Sequence, residues 1–296
     1  MSSRPAPTFD DPDTLPKLPA WVTSGRAQTS DHVAFLSGAA LAHLDVLLNC
    51  DDVPQALLRD RLALRSAEAC VGFSGRMESM ADLRDEIHLI RPGDLPGPAG
   101  KLCLSWQRAV ERGVSIKALC RVVPEHNAQQ LERWLDAGRV APVSRAAAVL
   151  EAVLADAPRS ETAGLILADA ALAQALGWKH LVPLLALGLT QKDLRKRGDD
   201  LRFSCHQAVN KAVKEAVQMT HDLARRTKRL KSVTPKLRAK GAEQAVELFL
   251  TRDAVAPNAL VSLNSDRAAR RFCDRLVDLG AARELTGRDT FRLYGV

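Results

Sequence analysis

Apolar residues recur every three or four positions through most of the chain, and this spacing predicts α-helices. In the stretch 30–50, Val33, Leu36 and Ala40 begin one such face, and Ser30 is in position to cap the helix. The same spacing predicts further helices at 54–71, 82–89, 101–112, 125–135, 144–154, 161–176, 182–189 and 191–196. The pattern therefore indicates an all-α body.

Glycine and proline mark where the helices stop. Three prolines and three glycines within 91–100 predict a loop there. The stretch 200–231 contains neither residue type, so it predicts the longest helix of the chain. Pro235 is in position to open another helix.

A different order of elements is predicted at the carboxyl end. A helix from Pro235, a short helix at 258–263 and a helix at 266–279 precede a hairpin at 283–294. Ser265 would cap the third helix, and Gly280 would end it. Helix, short helix, helix and a two-stranded wing is the order of a winged helix-turn-helix. We therefore predict an arm at 1–29 that is disordered, a helical body at 30–232 and a winged helix at 233–296.

The charge is concentrated in one segment. The chain carries a net charge of +7, of which residues 190–240 alone contribute +10, whereas 1–189 contribute −3 and 241–296 contribute zero. Concentrated positive charge attracts polyanions through counterion release. A solvated helix face is the structural alternative, and cations at the end of a helix also suit its dipole.

These patterns give a set of candidate DNA contacts. The third C-terminal helix is the usual reader of the major groove, and arginine can bind guanine edges or phosphates. The predicted contacts are Arg267, Arg270 and Arg271 on this helix, Arg288 and Arg292 in the wing, and Arg225, Arg226, Lys228, Arg229 and Lys231 on the basic helix.

Three functions remain open, and the first is favoured. The first is a non-catalytic DNA-binding or DNA-associated protein whose body binds a protein partner or forms a homodimer. The second is a protein–protein adaptor whose winged helix docks on a partner subunit. The third is a cryptic helical enzyme, because catalytic groups can converge from distant helices.

Enzyme and cofactor motifs are largely missing from the sequence. Gly100-Lys101 lacks the glycine and the hydroxyl residue of a phosphate loop. Tyr294, the single tyrosine, has no recombinase-like arginine and histidine set beside it, so we expect it to pack the wing. The six cysteines form no CxxC pair, so we expect reduced thiols, no metal site, no cofactor and a cytoplasmic location. No apolar run is long enough to predict a membrane span.

Two resemblances add to this interpretation. The segment SDRAARRFCDRLVDLGAARELTGRDTFRLYGV (265–296) resembles the winged helix that follows Fic-type domains. The Fic catalytic motif is absent, so no nucleotidyl transfer is implied. RPGDLPGPAGKL (91–102), LADAALAQALGW (167–178) and KLRAKGAEQAVELF (236–249) resemble an uncharacterised bacterial family, domain-of-unknown-function family 1403. That resemblance implies relatives and no activity.

Overall fold

The computed structural model describes residues 15–24, 29–90, 93–138 and 141–296, which are mostly helical. Its α-helices are α1 (Ala20–Ser24), α2 (Ser30–Leu48), α3 (Gln55–Phe73), α4 (Met80–His88), α5 (Pro98–Glu111), α6 (Ile116–Val122), α7 (Ala128–Leu135), α8 (Pro142–Asp156), α9 (Glu161–Leu176), α10 (Leu185–Gly188), α11 (Gly198–Val233), α12 (Ala242–Thr251) and α13 (Asp266–Asp278). Two short strands, β1 (Arg283–Glu284) and β2 (Tyr294–Gly295), pair antiparallel near the carboxyl end. The prediction of a mostly helical chain with a small sheet at the carboxyl end is confirmed for the described residues, although an isolated β-bridge also joins Gly113 to His180.

The chain divides into two compact units. The central unit contains the described residues of Leu18–Leu44 and Leu62–Ala216. The C-terminal unit contains residues 15–17, Asp45–Arg61 and Val217–Val296. The predicted boundary at 233 therefore differs from this division, because the end of α11 and a segment around the α2–α3 connection belong with the carboxyl end.

The core of the central unit is built around α9. Every residue from Ala163 to Ala173 in this helix is buried, which requires apolar or small side chains on all sides. Its one buried acidic side chain, Asp169, accepts hydrogen bonds from the backbone amides of Leu184 (3.1 Å) and Leu185 (3.2 Å). The carboxyl oxygens thereby satisfy amides at the start of α10 that have no partner within that helix.

Some predicted boundaries shift for local reasons. Helix α5 begins inside the predicted loop, at Pro98, because proline fits the first helical position, where no amide hydrogen is needed. The amide of His32 donates to Thr29, so Thr29 caps the start of α2 in place of Ser30. The prediction for 182–189 was too long, since only Leu185–Gly188 is α-helical.

The predicted arm at 1–29 lies only partly within the described residues. Residues 15–24 include the short helix α1, in which Val22 is buried, and Leu15 is also buried. These residues depart from the disordered arm that was expected. Residues 1–14 and 25–28 lie outside the described part of the chain.

The carboxyl end of the C-terminal unit follows the predicted order with a later first helix. Pro235 lies in a 3-10 helix (Thr234–Lys236), and α12 begins only at Ala242. Gly241 precedes α12 with a φ of +86°, and a Cβ there would lie 2.3 Å from the carbonyl oxygen of Ser262. Only glycine suits both the positive φ and the close approach of Ser262, so this contact fixes the start of α12.

Helix α13 is bounded as the sequence predicts. The Ser265 side chain accepts from the amide of Ala268 at 3.2 Å. At the other end Gly280 has a φ of +63°, and the amide of Ala281 donates to Leu276 at 2.9 Å. This pairing is the hydrogen-bond pattern of a Schellman C-cap. Two 3-10 helices, Pro257–Ala259 and Val261–Leu263, precede α13 and pack against it.

The hairpin after α13 is shorter than predicted. Glu284 lies opposite Tyr294, and an isolated bridge joins Tyr294 to Val255 through hydrogen bonds of 2.8 and 2.9 Å. The loop between the strands is organised by the Glu284 carboxylate, which accepts from the amides of Thr286 and Gly287. Backbone pairing extends one step further, from the amide of Leu285 to the carbonyl of Leu293 at 2.8 Å, and the turn beyond it is held by the Glu284 side chain.

One described helix, α2, has the length and the apolar composition that a membrane span needs. Its most apolar window has a mean hydropathy of 1.3, and 44% of that window is buried inside the protein. A helix of a protein core has the same properties, so the observation is weak evidence for a span.

Candidate nucleic-acid interface

The first two turns of α13 carry an exposed arginine cluster. Arg267, Arg270 and Arg271 are all exposed, whereas Phe272 and Leu276 on the opposite side are buried. At 100° per residue, the buried positions fix the helix on its core, and the arginines must face outward. We call these three residues the α13 arginine face.

The second half of α13 has a different character. Asp274 and Asp278 are exposed on the same outward side, together with Arg275. The hydroxyl of Tyr294 donates to Asp274 at 3.2 Å, and Tyr294 itself is buried. The expected packing role of Tyr294 is consistent with this contact, and the positive charge of α13 is concentrated in its amino-terminal half.

The two wing arginines differ in position. Arg288 is exposed near the turn. Arg292 is half-buried and folds back, because its Nε donates to the carbonyl of Arg288 at 2.8 Å and its guanidinium lies 3.6 Å from Asp289. Of the two, Arg288 is therefore the one that projects from the loop.

The basic end of α11 divides between two sides of the helix. Arg225 and Arg226 pair with Asp222 at 3.2 and 2.9 Å, and Arg229 donates to the carbonyl of Leu279 at 2.9 Å. Lys231, which is also exposed, lies 240° around the helix from Arg225 by the 100° rule. The sequence-predicted set is thus not one surface.

The basic residues at the end of α11 line two different clefts of the C-terminal unit. Arg225, Arg226 and Arg229 line one cleft of about 450 Å³, together with Arg283 and the Gly280–Ala282 turn. Lys231 lines a second, larger cleft of about 880 Å³, together with Lys240, Gly241 and Asn264. Sequence reasoning missed Arg283 and Lys240, which only the fold brings beside the basic helix.

A buried ionic cluster supports the same unit. Arg61 donates from Nε to Asp253 at 2.7 Å and from Nη2 to the oxygen of Val296 at 3.2 Å. The amide of Asp253 donates to the Asp60 carboxylate at 2.8 Å. Burial raises the pKa of Asp60, and the nearby Asp253 charge adds to the rise. No local pattern reveals this cluster, because 192 positions separate Arg61 from Asp253.

Groups with catalytic potential are buried in the central unit. Ser37 Oγ lies 2.7 Å from His206 Nδ1, but Ser37 is fully buried, so a substrate has no access to its hydroxyl. Burial lowers the pKa of His206, and the Arg202 charge lowers it further. None of the six cysteines, all of which lie in the described part of the chain, forms a disulfide bond, and Cys205, which precedes His206, is buried. Among the described residues, no group of three His, Cys, Asp or Glu side chains could hold a metal ion.

Comparison with known proteins gives one match. A family described as a protein of unknown function (DUF1403) matches the chain over residues 6–296. No curated protein matches it.

Proposed function

The chain belongs to the DUF1403 family, and we propose that it is a non-catalytic DNA-binding protein. In this proposal the carboxyl end is a winged helix, α13 enters the major groove and the basic end of α11 contacts phosphates. The observation that carries the proposal is the α13 arginine face. Three guanidinium groups project from the capped amino-terminal half of a helix that is anchored by buried Phe272 and Leu276.

The order of elements supports a winged helix. Helix α12 is followed by the bridging residue Val255, the two 3-10 helices, α13 and the β1–β2 pair. Tyr294 in β2 bonds to Val255 on one side and lies opposite Glu284 on the other. The segment at Val255, β2 and β1 therefore lie side by side in that order, which is the arrangement of the strands in a winged helix. The resemblance of 265–296 to the module that follows Fic-type domains agrees with this order.

The charges support nucleic acid over a neutral ligand. Segment 241–296 has no net charge, but α11 and the connections on either side of it supply the +10 of 190–240. Arg229 bonds to Leu279, directly after α13, so part of this charge adjoins the module. Phosphate contacts fix the position of a protein on DNA, and base contacts give it specificity.

Single arginine replacements test the base-reading part of the proposal. Arg270→Ala or Arg271→Ala is expected to cost about 1–3 kcal/mol on a preferred duplex and to relax the preference at one base pair. The measurement is competition binding against a library of randomised duplexes. Arg159→Ala removes the same charge from an exposed turn of the central unit and is the control. If the wild type and the three variants show the same preference for each base pair, base reading by this face is refuted.

A second candidate function is an adaptor that docks on a protein, favoured by two exposed apolar side chains. Val261 is 87% exposed and Phe291 is 74% exposed. Phe291 also has a φ of +54°, a strained conformation for a bulky residue that costs about 1–3 kcal/mol. The adaptor function is supported over DNA binding by two results together. Arg270→Ala and Arg271→Ala bind every duplex as the wild type does, and Phe291→Ser no longer retains a protein partner in pull-downs.

A further inference from the structure

We propose that the 450 Å³ cleft beside α11 is a phosphate-binding site, which we call the arginine cleft. Four arginines line it, Arg225, Arg226, Arg229 and Arg283, together with one acidic side chain, Asp222, and with Val296. The side chains around one small concave surface therefore carry a net charge of +3. Like charges gathered in a concavity raise the local concentration of anions.

Three of the four arginines are held in place before any ligand arrives. Asp222 accepts from Arg225 Nη2 at 3.2 Å and from Arg226 Nε at 2.9 Å, and the carbonyl of Leu279 accepts from Arg229 Nη2 at 2.9 Å. A guanidinium has five N–H donors, so one such bond leaves donors to spare. Side chains that are already positioned lose less conformational freedom when they bind.

The opposite wall of the cleft leaves room for an anion. Gly280 has no side chain, and Ala281 and Ala282 have only a methyl group. The amides of all three residues are occupied, because they donate to Val277 and Leu276 at the end of α13. The hydrogen bonds to a ligand must therefore come from guanidinium groups, whose planar donor pairs match phosphate oxygens.

The phosphate group has two possible sources, the backbone of DNA or a free phosphate ion. The site does not require the α13 arginine face to read bases, so it can stand if the proposed function fails. Inorganic pyrophosphate is the probe that tests the shared chemistry. A short DNA duplex then distinguishes the sources by competition.

The experiment is isothermal titration of the full chain with pyrophosphate in a buffer without phosphate, at constant ionic strength. We expect saturable binding that weakens at least tenfold in Arg225→Gln/Arg226→Gln, since each charge-assisted hydrogen bond to the ligand contributes about a factor of ten. The matched control is Lys211→Gln/Lys214→Gln, which removes the same charge from two exposed positions of the same helix that do not line the cleft and should keep the wild-type affinity. Circular dichroism verifies that both variants are folded.

Asp222→Asn tests the site in the opposite direction. It removes the one negative side chain of the cleft, and at about 5 Å in water-like surroundings this strengthens binding about fourfold for each negative charge that the ligand places there. A duplex that displaces pyrophosphate identifies the DNA backbone as the source, whereas pyrophosphate binding unaffected by the duplex identifies a free ion. The proposal is overturned if pyrophosphate does not bind saturably, or if the glutamine variants of both pairs bind it equally.

Discussion

Replacement of Arg61 by alanine should destabilise the C-terminal unit far more than replacement of an exposed arginine would. The Arg61 and Asp253 side chains are only 10% and 4% exposed, and their Nε–Oδ1 distance is 2.7 Å. Removal of one partner from a buried ion pair costs about 3–5 kcal/mol, because the remaining charge stays buried. The oxygen of Val296 also loses the hydrogen bond from Arg61.

The pH dependence of this cost follows from the second carboxylate. Burial and the Asp253 charge already raise the pKa of Asp60, and the loss of the Arg61 charge raises it further. When a carboxyl group has a raised pKa in the folded state, the protein becomes less stable as the pH rises. The reason is that the folded state holds the proton more tightly than the unfolded state does and must release it. The destabilisation by Arg61→Ala is therefore expected to be larger at pH 8 than at pH 5.

The assay is amide hydrogen exchange of peptides that cover Ala242–Thr251 and Asp266–Asp278. A loss of about 3–5 kcal/mol corresponds to protection factors that fall by a factor of about 100 or more in both helices. Arg65→Ala is the control, because Arg65 lies on the same helix as Arg61, α3, and pairs with Glu215 of α11. These two side chains are 36% and 30% exposed, so their pair should contribute no more than about 1 kcal/mol. If Arg61→Ala changes protection as little as Arg65→Ala does, the buried cluster does not stabilise the unit.

Two further predictions concern stability. Phe272→Ala should cost about 3–5 kcal/mol, measured by urea unfolding, because Phe272 is buried on the core side of α13, and a loss below about 1 kcal/mol would contradict that packing. Burial raises the pKa of Asp169 to about 8, so the contribution of this group to stability should fall as the pH rises from about 4 to 8. Relative to the wild type, Asp169→Asn should therefore gain stability over this range, and a constant difference between the two proteins would refute the assignment.

Elements with strong local signals were predictable from the sequence. The bounds of α9 agree with the prediction because its apolar residues lie between clear breaks, and α13 agrees because Ser265 and Gly280 mark both ends. Helix α12 was misplaced because its start depends on the approach of Ser262 to Gly241. Such an approach joins residues distant in sequence and leaves no periodic signal.

The candidate site was predictable only in part. The exposure of Arg267, Arg270 and Arg271 follows from helix periodicity, and the same periodicity separates Lys231 from Arg225. The arginine cleft could not be predicted, because Arg283 reaches α11 only through the turn after α13. The ionic cluster around Arg61 was hidden for the same reason.

The most direct test of the proposed function is the affinity of the full chain for a DNA duplex at several salt concentrations. We predict that the logarithm of the binding constant falls linearly with the logarithm of the salt concentration. Replacement of Arg225, Arg226, Lys228 and Arg229 by alanine should reduce this slope by about 0.9 for each phosphate that the variant no longer neutralises, on every sequence alike. A chain that does not bind the duplex at low salt, or a slope that the four replacements leave unchanged, would contradict DNA binding through the basic helix.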